Sequence, residues 1–210
     1  MERLYPGIYH SEDDHPFDNE VCTRAYVVSL PEGNLLFYSS SSIEQNFPFI
    51  QDLGGLAGQY LNHRDEASAY CDRVRDRFGS PLHCHQLEEY EVSQHCQVAT
   101  TFKNRQQLRS NLEAIPTPGH CPGSSCYLLT MDEKHYLFCG DTIYPDAGQW
   151  KTYLSGKRSS KPDMIQSLEL LRSLPVDVVL PGLYIGTTSF EAVSSERWNS
   201  IIDQCLCQLG

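Results

Sequence analysis

Two short segments of the chain set residues able to bind a cation where a buried strand gives way to a glycine-containing loop. The first is Thr117-Pro118-Gly119-His120-Cys121-Pro122-Gly123-Ser124-Ser125. Pro118 and Pro122 fix φ, while Gly119 and Gly123 permit tight turns, so His120 is expected in a rigid loop between two strands. Rigid loops on a scaffold are where ligating and catalytic groups concentrate. The second is Leu137-Phe138-Cys139-Gly140-Asp141-Thr142, an apolar strand ending at glycine and then an acid. That is the pattern of a carboxylate projecting from a sheet edge into a cavity, although an ordinary turn aspartate looks the same. An imidazole and a carboxylate so placed suit cation binding or proton transfer.

These loops need a sheet behind them, and the pattern of residue types supplies one. Residues 25–30 and 35–38 are β-branched and aromatic runs around the turn cluster Pro31-Glu32-Gly33-Asn34, which predicts a hairpin. The serines at 39–42 cap a helix over residues 44–53, closed by Gly54-Gly55, and residues 57–61 form a short buried strand. Helical spacing of Ala69, Val74 and Phe78, with Gly79 as the stop, predicts a helix over about 66–78. Residues 82–85 read as a strand, and the polar stretch 86–111 as short antiparallel strands around 97–102. Strands follow at 112–115, 125–130 and 135–139, with a turn at 131–134. Pro162 opens a helix marked by Met164, Ile165, Leu168, Leu171 and Leu174 and stopped by Pro175; residues 176–180 are a strand and 193–209 a final amphipathic helix. Interleaved strands and helices with hairpins argue for two mixed sheets with helices outside.

The 210 residues are 40% hydrophobic and 20% charged, an ordinary globular composition consistent with a single domain spanning 1–210. The net charge of −11 repels polyanions, so no nucleic-acid partner is expected. No apolar stretch approaches the ~20 residues that cross a bilayer, and the opening Met-Glu-Arg-Leu-Tyr-Pro lacks a secretory pattern. The expectation is a cytoplasmic protein without a membrane partner. Nine cysteines, an odd number with no C-x-x-C pair, are read as free thiols.

Together the two loops resemble the metallo-β-lactamase superfamily, whose later half carries a T-P-G-H-T-x-G-S loop, a strand ending G-D and a strand ending near P-G-H. Val178-Val179-Leu180-Pro181-Gly182 matches the last of these up to the histidine, where Leu183 stands. The resemblance implies an α+β fold: a four-layer αββα sandwich of two mixed β-sheets flanked by helices. It also implies hydrolysis of an ester, thioester or related bond by metal-activated water. The family's first motif, H-x-H-x-D-H, is replaced by Leu61-Asn62-His63-Arg64-Asp65-Glu66-Ala67-Ser68. In the register that aligns the strand end, His63 keeps the first ligand and Asp65 replaces the second. Ala67 and Ser68 remove two others. A register shifted by two would instead keep His63, Asp65 and Glu66 and lose the first histidine to Leu61.

The resemblance therefore implies His63, Asp65, His120 and Asp141 as metal ligands and Asp141 as the catalytic acid-base group. They would hold at most one divalent cation, Zn, Fe or Mn, or none. The substrate or ligand would be a small molecule; the sequence does not specify it or the oligomeric state. The competing reading is a catalytically silent relative that binds a small molecule or protein through the same cleft. In that reading His63 and Asp65 cap the following helix, His120 and Asp141 form a hydrogen-bonded relic, and Arg64 neutralises the vacated acids. His83-Cys84-His85 with His95-Cys96 superficially suggests zinc, but residues 83 and 85 face away from 84 on a strand. Cys121, Cys126 and Cys139 are read as packing thiols in preference to redox-active ones. His10 and His15 are expected on a solvated acidic surface, and Tyr144, Trp150, Tyr153 and Tyr184 as pocket or core aromatics.

Overall fold

The computed structural model describes residues 1–16, 20–38 and 40–210, so Ser39 of the expected serine cap lies outside the described residues. Two compact units divide the chain, Met1–Phe102 and Lys103–Gly210. The first contains β1 (Glu2–Tyr5), β2 (Ile8–His10), β3 (Val21–Thr23), β4 (Tyr26–Val28), β5 (Leu35–Phe37), α1 (Phe47–Asp52), β6 (Gly58–Tyr60), α2 (Ala69–Phe78), β7 (Leu82–His85), α3 (Glu89–Val92) and β8 (Thr100–Phe102). Seven strands form a mixed sheet in the order β1-β2-β4-β5-β6-β7-β8. The expected hairpin is β4–β5, antiparallel with Tyr26 opposite Phe37. From β5 onward the pairing is parallel, because α1 and α2 return the chain for β6 and β7.

Pro48 falls at the start of α1, so the expected helix over 44–53 splits into a 3-10 turn, Ser41–Asn46, and a short α-helix. Ser40 supplies the cap, its side chain accepting from the backbone N–H of Ser42. Val27, Leu36, Ile43, Ile50 and Val74 pack into one apolar cluster between the sheet and these helices. Leu61, Cys71, Leu82, Cys84, Val92 and Cys96 form a second one. Burial, reinforced by the charges of Glu89 and Glu88, pushes the Cys84 thiol up to about 12. The polar stretch after residue 85 differs from expectation. It forms a 3-10 turn and α3, and β8 runs parallel to β7.

The second unit holds β9 (Gln106–Arg109), β10 (Leu112–Pro116), β11 (Ser125–Met131), β12 (Lys134–Gly140), β13 (Tyr144–Asp146), β14 (Gln149–Lys151), α4 (Lys161–Arg172), β15 (Val178–Pro181), β16 (Leu183–Ile185), β17 (Glu191–Ala192) and α5 (Ser195–Cys207). Its six-stranded mixed sheet runs β17-β15-β12-β11-β10-β9. The turn between β11 and β12 places Asp132 and Glu133 at φ +51° and +61°, the hairpin geometry that suits right-handed strand twist. Helices α4 and α5 bury Met164, Leu168, Leu171, Trp198, Ile201, Ile202 and Cys205 against Ile115, Cys126, Leu137, Cys139 and Val179 of that sheet. The fold class is α+β, with a mixed sheet and covering helices in each unit. All nine cysteines are free thiols.

Candidate metal centre

In the second unit, sheet register brings His120 and Asp141 together. β10 and β11 are antiparallel neighbours, so the loop joining them, which carries His120, opens at the sheet edge where Pro116 pairs with Ser125. β12 runs parallel to β15 with Gly140 opposite Pro181, which brings Asp141 to the same edge. The Thr117 and Thr142 hydroxyls, 3.3 Å apart, tie the two loop bases together. Gly182 donates its N–H to Gly140 O at 3.0 Å. A Cβ at Gly182 would lie 3.2 Å from Gly140 Cα and 3.4 Å from Asp141 Oδ1, so the close approach depends on glycine.

Within this frame His120 is fully buried. Its Nδ1 lies 3.1 Å from the carbonyl oxygen of Tyr153, and the Tyr153 ring sits 5.2 Å from the imidazole. A carbonyl only accepts, so Nδ1 carries the proton and Nε2 presents a lone pair in the neutral ring. Nε2 is 4.0 Å from Asp141 Oδ2. That separation is beyond hydrogen-bond reach, yet two ligands each about 2.0–2.1 Å from one ion can be up to about 4.2 Å apart. Asp141 is only 8% exposed. The donor chemistry fits a divalent cation, and tetrahedral binding would draw the two atoms about 0.6 Å closer. Cys121, also buried, offers a sulfur within 4.8 Å of a ring nitrogen of His120.

The first unit holds a histidine–carboxylate pair of its own. β6 ends at Tyr60, and His63 follows in extended conformation as the cap of a 3-10 turn over Arg64–Glu66. Its Nδ1 accepts weakly from the Asp65 backbone N–H at 3.4 Å and lies 3.8 Å from Asp65 Oδ2. Its Nε2 faces Glu66 Oε1 at 3.4 Å, while Glu66 Oε2 accepts from the Asn62 N–H at 2.6 Å. Arg64 closes on buried Glu88. Its Nε and Nη2 reach the two carboxylate oxygens at 2.6 and 2.9 Å, and its backbone N–H donates to Oε2 at 3.0 Å. Arg64 thus clamps onto the segment before α3.

Several expected roles change. Asp65 is not the cap of α2; that helix starts later than expected, and Ser68 caps it by accepting from Tyr70 N–H. His10 is buried in β2 with Nδ1 2.7 Å from Ser11 O, whereas His15 is exposed as expected. His83 stacks on Tyr60 at 4.8 Å, and His85 caps the following turn through Leu87 N–H, giving both imidazoles structural work. Trp150 is core, with Nε1 donating to Glu191 at 2.8 Å. Tyr153, 40% exposed, is the aromatic that meets a candidate ligand. Glu66 and Cys121 were the quieter candidates: an acid beside an acid and a cysteine in a loop carry no distinguishing pattern.

Comparison with known proteins gives the class. Residues 106–183 match the model of the metallo-beta-lactamase superfamily, a span that includes His120 and Asp141 and excludes His63 and Asp65. Among solved structures, TMB-1 matches all of this chain and 97% of its own, with a TM-score of 0.75 and 16% identity. A metallo-beta-lactamase HARLDQ-motif mutant from Cronobacter sakazakii matches 85% of this chain and 76% of its own, with a TM-score of 0.66 and 18% identity. The fold is the metallo-β-lactamase fold, and the later half of the chain carries that superfamily's sequence pattern. A hydroxyacylglutathione hydrolase from Buchnera aphidicola is 34% identical over 73 residues, 35% of this chain and 26% of that relative. The match thus spans about a quarter of the curated relative's length.

Proposed function

We propose that the chain acts as a metal-dependent hydrolase of an ester, thioester or related bond in a small-molecule substrate. In this reading His63, Asp65, His120 and Asp141 hold at most one divalent cation, and residues 1–210 work as one domain. The observation that carries it is the His120–Asp141 pair: a buried ring whose proton is committed to Tyr153 O, with Nε2 turned toward a carboxylate 4.0 Å away. His63 Nδ1 also lies 3.8 Å from an acid, Asp65 Oδ2. Mixed imidazole and carboxylate donors suit Zn, Fe or Mn. When bound, such a cation lowers the pKa of a water to about 7 and polarises the scissile carbonyl. Asp141 accepts the proton of the attacking water at a carboxylate oxygen, and the hydrogen bond to Tyr153 fixes the His120 tautomer. The relative named as a hydroxyacylglutathione hydrolase supports hydrolysis. Nine free thiols favour a reducing, cytoplasmic setting, and the net charge of −11 opposes nucleic acid.

A second reading, the silent relative that binds a ligand or protein partner, is favoured by what has become of the lost motif positions. Ser68 caps α2, Ala67 packs against an apolar cluster, and Leu183 is buried in β16. Metal analysis separates the two. Protein purified without chelator or affinity-metal resin is expected to hold close to one cation per chain, His120→Ala to release it, and Asp141→Asn to abolish esterase or thioesterase turnover with an unchanged melting profile. Substoichiometric metal indifferent to His120→Ala would support the silent reading. Turnover surviving in Asp141→Asn would place the chemistry elsewhere.

A further inference from the structure

We infer that Cys121 is a sulfur ligand of the same cation, and that the site consequently selects zinc; this rests on the metal-site reading above. The sulfur is fully buried and lies within 4.8 Å of a ring nitrogen of His120. Its direction is set by the loop. The Cys121 N–H donates to Ser124 Oγ at 2.9 Å, Ser124 N–H returns to Cys121 O at 3.2 Å, and Gly119 N–H donates to the same carbonyl at 3.3 Å. The turn over residues 119–124 therefore closes around Cys121 and fixes the backbone from which its side chain projects.

The other buried cysteines of this unit are placed differently. Cys126, Cys139 and Cys205 pack among Leu, Ile and Trp side chains of the core, as buried thiols usually do. Cys121 is grouped with an imidazole whose Nδ1 lies against the Tyr153 carbonyl and whose Nε2 faces a carboxylate at 4.0 Å. Imidazole, carboxylate and thiolate form a borderline-to-soft donor set, and a thiolate shifts preference from Mn and Fe(II) toward Zn. As the sulfur–cation bond forms, the thiol proton passes to solvent, so loading releases one proton more than the imidazole and carboxylate ligands alone would.

Cobalt(II) substitution tests this without using turnover. The metal-free full chain, titrated with Co(II) alone, is expected to develop visible d–d bands together with a near-ultraviolet thiolate-to-cobalt charge-transfer band. Cys121→Ser is expected to keep the visible bands and lose the near-ultraviolet one, with zinc affinity falling by at least about tenfold, the loss typical even of outer-shell changes. Visible bands without charge transfer in the wild type would overturn the sulfur ligand and leave the cation site standing. So would a charge-transfer band that persists in Cys121→Ser. Absence of all cobalt bands would overturn the site itself and this inference with it. If Cys121→Ser does not fold, X-ray absorption of the zinc-loaded wild type decides: one sulfur scatterer per zinc supports the inference, and a shell of only nitrogen and oxygen refutes it.

Discussion

Replacing Gly119 by alanine should be among the most damaging single-methyl additions in the chain, and its cost can be worked from the loop that carries His120. Gly119 sits at φ +148°, a conformation that side chains rarely adopt, and a Cβ there would lie 2.7 Å from both Cα and Cβ of Met164 and 2.9 Å from its nitrogen. Strained backbone of this kind costs about 1–3 kcal/mol, and forcing a methyl into a packed contact about 1–3 more. The loop could escape only by moving away from α4. It would then forfeit three hydrogen bonds: Ser160 N–H to Gly119 O at 2.8 Å, Ser159 Oγ to His120 O at 2.8 Å and Ser167 Oγ to Pro118 O at 2.7 Å. At about 1 kcal/mol each, that route costs about 3 kcal/mol, comparable to staying. Gly148 is the control. It also has positive φ, +85°, but a Cβ there meets nothing within 4 Å, so Gly148→Ala should lose only about 1–2 kcal/mol of conformational preference. Urea unfolding at constant m is the assay. Gly119→Ala is expected to lose about 3–5 kcal/mol and to weaken metal binding as His120 shifts. A loss within about 0.5 kcal/mol of the Gly148→Ala value would refute the claim that contact with Met164 holds the loop, since every added term of the estimate comes from that contact.

Two further outcomes follow from buried acids. Glu88→Ala strips the Arg64 guanidinium and backbone N–H of their carboxylate but leaves Leu87 O at 3.2 Å and Glu91 at 3.5 Å, so the loss should sit near or below the low end for a broken buried pair, about 2–3 kcal/mol by urea unfolding. A loss under about 0.5 kcal/mol would mean the clamp contributes nothing net. Glu191 is held below the ordinary carboxylate value of 4.5 by Arg197, whose hydrogen bond outweighs partial burial, with Trp150 Nε1 adding to it. Because the folded state favours the ionised form, its stabilisation is complete above that ordinary value and is lost as pH falls below it toward the depressed folded value. Glu191→Gln should therefore flatten the acid limb of stability below pH 4.5; an unchanged acid limb would refute the linkage.

What was legible in the sequence followed local pattern. The β4–β5 hairpin, the Pro162-led helix and the β11–β12 turn each depend on contacts within a few residues, and each lies within two or three residues of its expected place. The stretch after residue 85 was not legible because its order comes from distant partners. Glu88 reads as a solvated acid, and it is Arg64, 24 positions away, that pairs with it in its complete burial. The burial of His10 has the same origin: an acidic neighbourhood in sequence says nothing of the strand pairing that buries it. At the site, His120 and Asp141 stood out because glycine and proline flank them, whereas His63 and Asp65 emerged only through the resemblance. Cys121 had no signal, since a ligating cysteine and a packing cysteine are the same letter.

The segments that carry His63 and His120 also differ in what holds them. Around His63, the neighbouring positions do structural work. A histidine at Ser68 would remove the α2 cap, at a cost of about 1 kcal/mol. At Leu183 a histidine would put a polar ring where a buried strand residue now packs. Around His120 the reverse holds: glycine at 119, the hydroxyls of Ser159 and Ser167 and the Tyr153 carbonyl all fix the loop or the ring. None of these contacts would need to aim an imidazole nitrogen at an acid if the loop served packing alone. The His120 loop is thus held by contacts dedicated to its own geometry, whereas Ser68 and Leu183 serve a helix cap and a buried strand.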